Sequence, residues 1–219
     1  MNQGMLSRIS ELVLGPALPA RIPVRILDNI RQQENNSEIL VCWAQIGAIL
    51  LFGSVYAISP KTFPPDAPFQ PVPVTLAAYA VFTLLRLYLA YRGRLQAWFL
   101  GLSVLIDVAV LMITIWSFHL QYNQPPALYL KAPTLLYVFI IITLRALRFD
   151  PKWVLLAGGL AGLGWLILLL YAIHGQSMSA LITHNYVEYM TSLKVLIGAE
   201  VDKLLSISVV PLLLGLALV

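Results

Sequence analysis

The sequence predicts an all-α polytopic membrane protein with six transmembrane helices and both termini in the cytoplasm. Three observations lead there. Of the 219 residues, 59% are hydrophobic and only 11% charged, with a mean hydropathy of +0.82; a soluble domain keeps roughly a quarter of its residues charged. The apolar residues fall into stretches close to the ~20 residues that cross a hydrocarbon core. Lys and Arg gather in every second connection between those stretches.

The same composition excludes several classes. The net charge of +4 comes from short basic runs between apolar stretches, not from the clustered patch with interleaved aromatics that nucleic acid requires. Cys42 is the only cysteine, so an intrachain disulfide and a cysteine-based metal site are both excluded. Residues 1–38 are polar, with Arg8, Arg21, Arg25 and Arg31 and no apolar core. They contain no cleavable signal peptide, and the first hydrophobic helix must act as the insertion signal.

In order, residues 1–38 read as a cytoplasmic N-terminal segment and residues 39–219 as a six-helix transmembrane domain. The first span, 39–58, ends at Ser59-Pro60. The loop after it, 61–73, carries five prolines, Pro64, Pro65, Pro68, Pro71 and Pro73, and cannot stay helical for long. A second span, 74–91, leads to the Arg92-Gly93-Arg94 turn. The third covers 98–120, followed by a polar loop containing Pro125-Pro126. The fourth covers 132–147 and closes at Phe149-Asp150-Pro151, and the fifth covers 153–173. Residues 174–194 are mixed, with a short interfacial helix expected near Tyr186–Met190. The last span, 195–219, is still apolar at Val219 and meets no polar flank. The chain is therefore expected to be truncated before a C-terminal cytoplasmic effector domain.

Orientation follows from the basic residues. Arg8, Arg21, Arg25, Arg31, Arg86, Arg92, Arg94, Arg145, Arg148 and Lys152 lie in or beside the N-terminal segment and the second and fourth connections; the first, third and fifth connections hold one each, Lys61, Lys131 and Lys194. Ten against three places both termini inside.

Charges within spans are costly and mark functional candidates. Arg86 lies about five residues from the inner end of span two, where it either snorkels to the headgroups or pairs with Asp107. Asp107 lies some ten residues into span three and is too short to snorkel. It is protonated, paired with Arg86, or part of a polar path. Glu200, Asp202 and Lys203 open the last span at its outer end, where acids suit the positive end of a helix dipole and Glu200–Lys203 is an i,i+3 pair. Pro211 is expected to kink that helix. His119, His174 and His184 all map to the outer side. Convergence of His119 and His174 would suit a metal or haem site, but no HxxxH spacing supports it and helix-end polarity explains them as well. Gly158, Gly159, Gly162 and Gly164, with Ala157 and Ala161, allow close packing inside the bundle or between subunits. Trp98, Trp116, Trp153 and Tyr171 fit an aromatic belt. No phosphate loop, HExxH motif or nucleophile–base pair is present, so no catalytic and no metal residue is assigned. Matching broken helices in two halves, expected of a secondary transporter, are not visible.

Several strings, in their order and spacing, carry a resemblance. Arg25-Ile26-Leu27 through Asn36-Ser37-Glu38 leads into Val41-Cys42-Trp43-Ala44-Gln45, followed by Lys61-Thr62-Phe63-Pro64. Then come Trp116-Ser117-Phe118-His119-Leu120-Gln121-Tyr122, Tyr129-Leu130-Lys131-Ala132-Pro133-Thr134 and Arg145-Ala146-Leu147-Arg148-Phe149. Tyr186-Val187-Glu188-Tyr189-Met190-Thr191-Ser192 and Gly198-Ala199-Glu200-Val201-Asp202-Lys203 complete the set. From about residue 21 to 219 the chain resembles the N-terminal six-helix membrane region of bacterial membrane-bound class III adenylate cyclases. The resemblance implies a multi-pass protein of the inner (plasma) membrane that acts as anchor, homodimerisation unit and sensor. ATP and Mg²⁺ would belong to the absent cyclase domain, and this chain would hold no cofactor. Its partners would be the lipid bilayer, a second copy and an unidentified extracytoplasmic or membrane ligand, with no nucleic acid. The rival readings are a sensor for a histidine kinase or another effector, a small transporter or channel lined by Asp107, Arg86 and Glu200, and a cytochrome-like haem protein.

Overall fold

The computed structural model describes residues 24–61, 69–174 and 182–218. Residues 1–23, with Arg8 and Arg21, the centre of the proline-rich loop (62–68), residues 175–181 and Val219 lie outside the described residues. The described chain is all-helical, with one isolated parallel bridge between Ile182 and Val195.

Helix α1 runs unbroken from Val24 to Ile58. The helix therefore begins well before the expected start of the first span at residue 39. Residues 24–38 contain no Gly or Pro, so nothing stops the helix from propagating backwards from its apolar half. Helix α2, Pro71–Tyr91, has prolines in its first turn, where the missing N–H has no helical partner to lose. The turn after it uses Gly93 at φ +63°, a left-handed backbone that only glycine adopts freely. Helix α3 spans Ala97–Gln121.

The expected fourth span is divided. Two 3-10 segments, Pro126–Lys131 and Pro133–Leu136, precede a ten-residue helix α4, Tyr137–Ala146. Pro126 and Pro133 each remove an N–H donor from the ladder. Helix α5, Pro151–His174, starts on a proline. The short helix α6, Tyr186–Thr191, is capped by the Asn185 side chain, which accepts from the Val187 and Glu188 amides. Helix α7 is Ile197–Ala217 and continues through Pro211.

Among the described residues, four helices are long and apolar enough to cross a membrane: Gln32–Ile58, Pro71–Tyr91, Trp98–Gln121 and Pro151–His174. The apolar stretch Pro133–Ala146 is shorter, and α7 carries Glu200, Asp202 and Lys203 in its first two turns. Large apolar side chains such as Leu50, Ile58, Val81 and Leu216 face outwards, while a set of charged side chains is buried. That arrangement suits a solvent of hydrocarbon and not of water.

Helix α1 packs on α2, α2 on α3, α3 on α5, and α5 on α7; α4 touches α1, α3, α5 and α7. Gly158 and Gly164 of α5 serve this packing inside the chain. Pro211 of α7 sits so close to Gly158 that a Cβ there would lie 2.2 Å from its Cγ, and one at Gly164 would lie 2.9 Å from Met112 Cγ. Trp153 is not part of an aromatic belt: it is buried, and the Arg148 guanidinium lies 4.9 Å from its ring.

Candidate functional site

The site is a ring of buried charge with one member from each of α1, α2, α3 and α4. On α1, Glu38, Cys42 and Gln45 recur at i, i+4 and i+7 and so share one face. Tyr79, Thr83 and Arg86 repeat that spacing on α2. Helix α3 contributes Asp107, α4 contributes Arg145, and the turn after α4 contributes Arg148. Glu38, Arg86 and Arg145 are 0% exposed and Asp107 is 1% exposed.

Around the ring the charges alternate. Arg86 Nε lies 2.8 Å from Glu38 Oε1, and its Nη1 lies 3.5 Å from Asp107 Oδ1. Arg145 donates through Nη2 to Asp107 Oδ2 and closes the circuit with Nη1 3.8 Å from Glu38 Oε1. Arg148 joins from the rim, donating to Glu38 Oε2 at 3.0 Å. Arg86 also directs its Nε–H to Cys42 Sγ at 3.3 Å. Asp107 gains two neutral donors: Tyr79 Oη at 3.0 Å to Oδ1 and Gln45 Nε2 at 3.0 Å to Oδ2. Gln45 Nε2 donates as well to Tyr79 Oη at 2.7 Å.

Charges in low dielectric persist only when paired, and the alternation supplies a counter-charge on both sides of every ring member. Several ring atoms are ion-paired without hydrogen-bond geometry: Glu38 Oε1, Arg86 Nη1 and Arg145 Nη1. Gln45 Oε1 is also buried without a donor.

A cavity of about 320 Å³ opens between α1, α2, α3 and α4. Gln45, Tyr79 and Asp107 line one end; Ser59 and Thr134 line the other; Ile49, Phe52, Leu76, Val110, Leu111 and Ile141 line the walls between. Its polar end is thus part of the charge ring.

A second network fastens the opposite end of the bundle. Glu200 is buried, and its side chain turns inwards to accept from Trp165 Nε1 at 3.1 Å and Lys203 Nζ at 2.6 Å. Lys203 also donates to the Leu130 carbonyl at 2.6 Å. Asp202 stays on the surface. Lys131 donates to the carbonyls of Tyr189 and Ser192; burial, and then the nearby Lys203, lower its pKa. Glu188 accepts from Lys194 at 2.7 Å and from the Thr183 hydroxyl, and those bonds hold its carboxyl below the usual range.

The structure brings Arg86 and Asp107 together, and Arg86 points inwards and does not snorkel. It joins Glu200 to Lys203. His119 packs against the rings of Trp116, Tyr129 and Tyr171 and its Nδ1 meets the Trp116 carbonyl. His174 and His184 are exposed. Among the described residues no group of three or more His, Cys, Asp or Glu is placed to hold a metal ion. Sequence reasoning assigned Glu38 to the cytoplasmic segment and counted Arg145 and Arg148 only as topology signals, so it missed three of the five charges. The repeated i, i+4, i+7 spacing on α1 and α2 was the available sign. Comparison with protein-family models, with curated proteins and with solved structures finds no match for the chain.

Proposed function

We propose that this chain is the membrane module of a class III adenylate cyclase, acting as anchor, homodimerisation unit and sensor for a cytoplasmic catalytic domain. In this reading both termini are inside and the chain crosses the inner (plasma) membrane six times, with α4 and its 3-10 lead-in as the fourth crossing and α7 as the sixth. The observation that supports a sensor is the shared position of Asp107: it lines the cavity and belongs to the ring that joins four helices. Whatever occupies the cavity acts on the ring, whose other members sit near the inner ends of α2 and α4 and midway along α1. Tethering two catalytic domains in one membrane raises their effective concentration, and a ligand with unequal affinity for two helix arrangements shifts the balance between them. ATP and Mg²⁺ belong to the catalytic domain in this scheme.

Two measurements test it. Membranes carrying the gene's complete reading frame should convert ATP to cyclic AMP, whereas the purified 219-residue chain should not; turnover by the isolated chain, or a reading frame that continues into a kinase, overturns the assignment. Protease added to sealed right-side-out vesicles should spare residues 1–38, and cleavage there reverses the topology.

A further inference from the structure

We propose that the polar cavity between the first half of α1 and the α2–α3 turn binds the headgroup of phosphatidylethanolamine, its ammonium on Glu34 and its phosphate beside Arg92 and Arg94. The proposal rests on the placement of the spans in a bilayer and not on the cyclase reading. Three observations carry it.

The first is depth. The cavity holds about 610 Å³, within the range of small-molecule sites. Gln32, Glu34 and Asn35 of α1 line one side, and Gly93 and Gln96 of the turn line the other. Gln32 opens one apolar span, and the turn separates two more, which meet it at Tyr91 and Trp98. The cavity therefore lies at the level of the lipid headgroups. Tyr91 and Trp98, on either side of the turn, are exposed, and the Trp98 indole donates to Gln96 Oε1 at 2.6 Å. Exposed Trp and Tyr belong at that level.

The second is charge. Glu34, Arg92 and Arg94 are exposed, and among the described residues none of them is ion-paired. An anionic lipid would suit the arginines and be opposed by Glu34, while a simple cation would suit Glu34 alone. A zwitterion with a phosphate and an ammonium a few bonds apart meets both signs. Nothing lies within 4 Å of where a Cβ on Gly93 would sit, so a phosphate has room against the turn between the two arginines.

The third is the match of donors and walls. A primary ammonium carries three N–H donors and forms a charge-assisted bond with the Glu34 carboxylate. The quaternary ammonium of choline has no N–H to offer. Leu95 and Leu100 form the apolar side of the cavity, a surface for the glycerol and first acyl carbons, which favours a lipid over a free phosphate ester.

The test uses the intact chain in dodecyl maltoside micelles and dioleoyl phosphatidylethanolamine labelled on an acyl chain. The label is displaced by dioleoyl lipids that differ only at the head: phosphatidylethanolamine, its N-methyl and N,N-dimethyl forms, phosphatidylcholine and phosphatidylglycerol. Phosphatidylethanolamine is expected to displace at least tenfold more effectively than phosphatidylcholine or phosphatidylglycerol, with a fall at each methylation. Glu34→Gln should bring phosphatidylethanolamine down to the phosphatidylcholine level. Arg92→Gln combined with Arg94→Gln should weaken both lipids alike and leave their ratio intact. Gln32→Trp puts a bulky side chain into the cavity from an exposed helix position and should abolish saturable binding. Equal displacement by phosphatidylcholine, stronger displacement by phosphatidylglycerol, or saturable binding retained in Gln32→Trp overturns the proposal. Displacement by glycerophosphoethanolamine as strong as by the intact lipid assigns the site to a soluble phosphate ester and overturns it too. The readout involves no nucleotide, so failure of the cyclase assignment would leave the lipid result untouched.

Discussion

The seat of Pro211 on Gly158 gives the sharpest test of the packing. A Cβ at position 158 would lie 2.2 Å from Pro211 Cγ and 2.6 Å from its Cβ, more than about 1 Å short of comfortable carbon–carbon contact. The proline ring has no rotamer with which to retreat, so α5 and α7 must separate. Gly158→Ala should therefore cost about 1–3 kcal/mol, the usual range for overpacking, even though alanine is intrinsically the better helix former by up to ~1 kcal/mol. The neighbouring Gly159 has nothing within 4 Å of its would-be Cβ, and Gly159→Ala supplies the matched control with the same propensity gain and no clash. Thermal unfolding of both variants in one detergent, followed by loss of the monodisperse peak on heating, should show Gly158→Ala several degrees below wild type and Gly159→Ala at or above it. Equal midpoints for the two variants would refute the close approach of α5 and α7.

Three further outcomes follow from the networks. Asp107→Asn keeps shape but leaves Arg86 and Arg145 facing one fewer charge; breaking a buried pair costs about 3–5 kcal/mol, so the midpoint of thermal unfolding should fall well below that of wild type. Trp165→Phe removes the donor to Glu200 Oε2 and should cost about 1–3 kcal/mol, read in the same assay. Glu188 is held below the ordinary carboxylate value of 4.5, so its contribution is complete at neutral pH and is lost only as pH falls through the lower folded value. Hydrogen exchange over residues 182–195 should accordingly stay slow through the ordinary carboxylate range and rise only in stronger acid, and Glu188→Gln should remove that acid dependence.

The apolar helices were legible because hydropathy sums over some twenty residues, and single errors average out. The start of α1 was not. Residues 32–38 read as a polar flank, and only partners far along the chain, Arg86, Arg145 and Arg148, explain why Glu38 is buried. Arg145 and Arg148 were misread for a related reason: a rule that counts basic residues on each side cannot tell an arginine that faces headgroups from one that turns inwards. Asp107 was recognisable, since no carboxylate at that depth can reach water, yet its second arginine lies on a helix that Pro133 shortens and that hydropathy blurred into the loop before it. Pro211 and Gly158 were each visible as a kink former and a small residue. Their fit to one another is a property of three dimensions and leaves no local trace.

The closed circuit of charge also constrains how the chain enters the bilayer. Helices α1, α2 and α3 alone bring two acids and one arginine, Glu38, Asp107 and Arg86, so the first three segments to be synthesised are left one positive charge short. Arg145 arrives only with α4. None of the first three can settle into lipid independently without stranding an ion, and the balance is reached when the fourth emerges. The circuit is thus complete only once the short, proline-preceded α4 is in place.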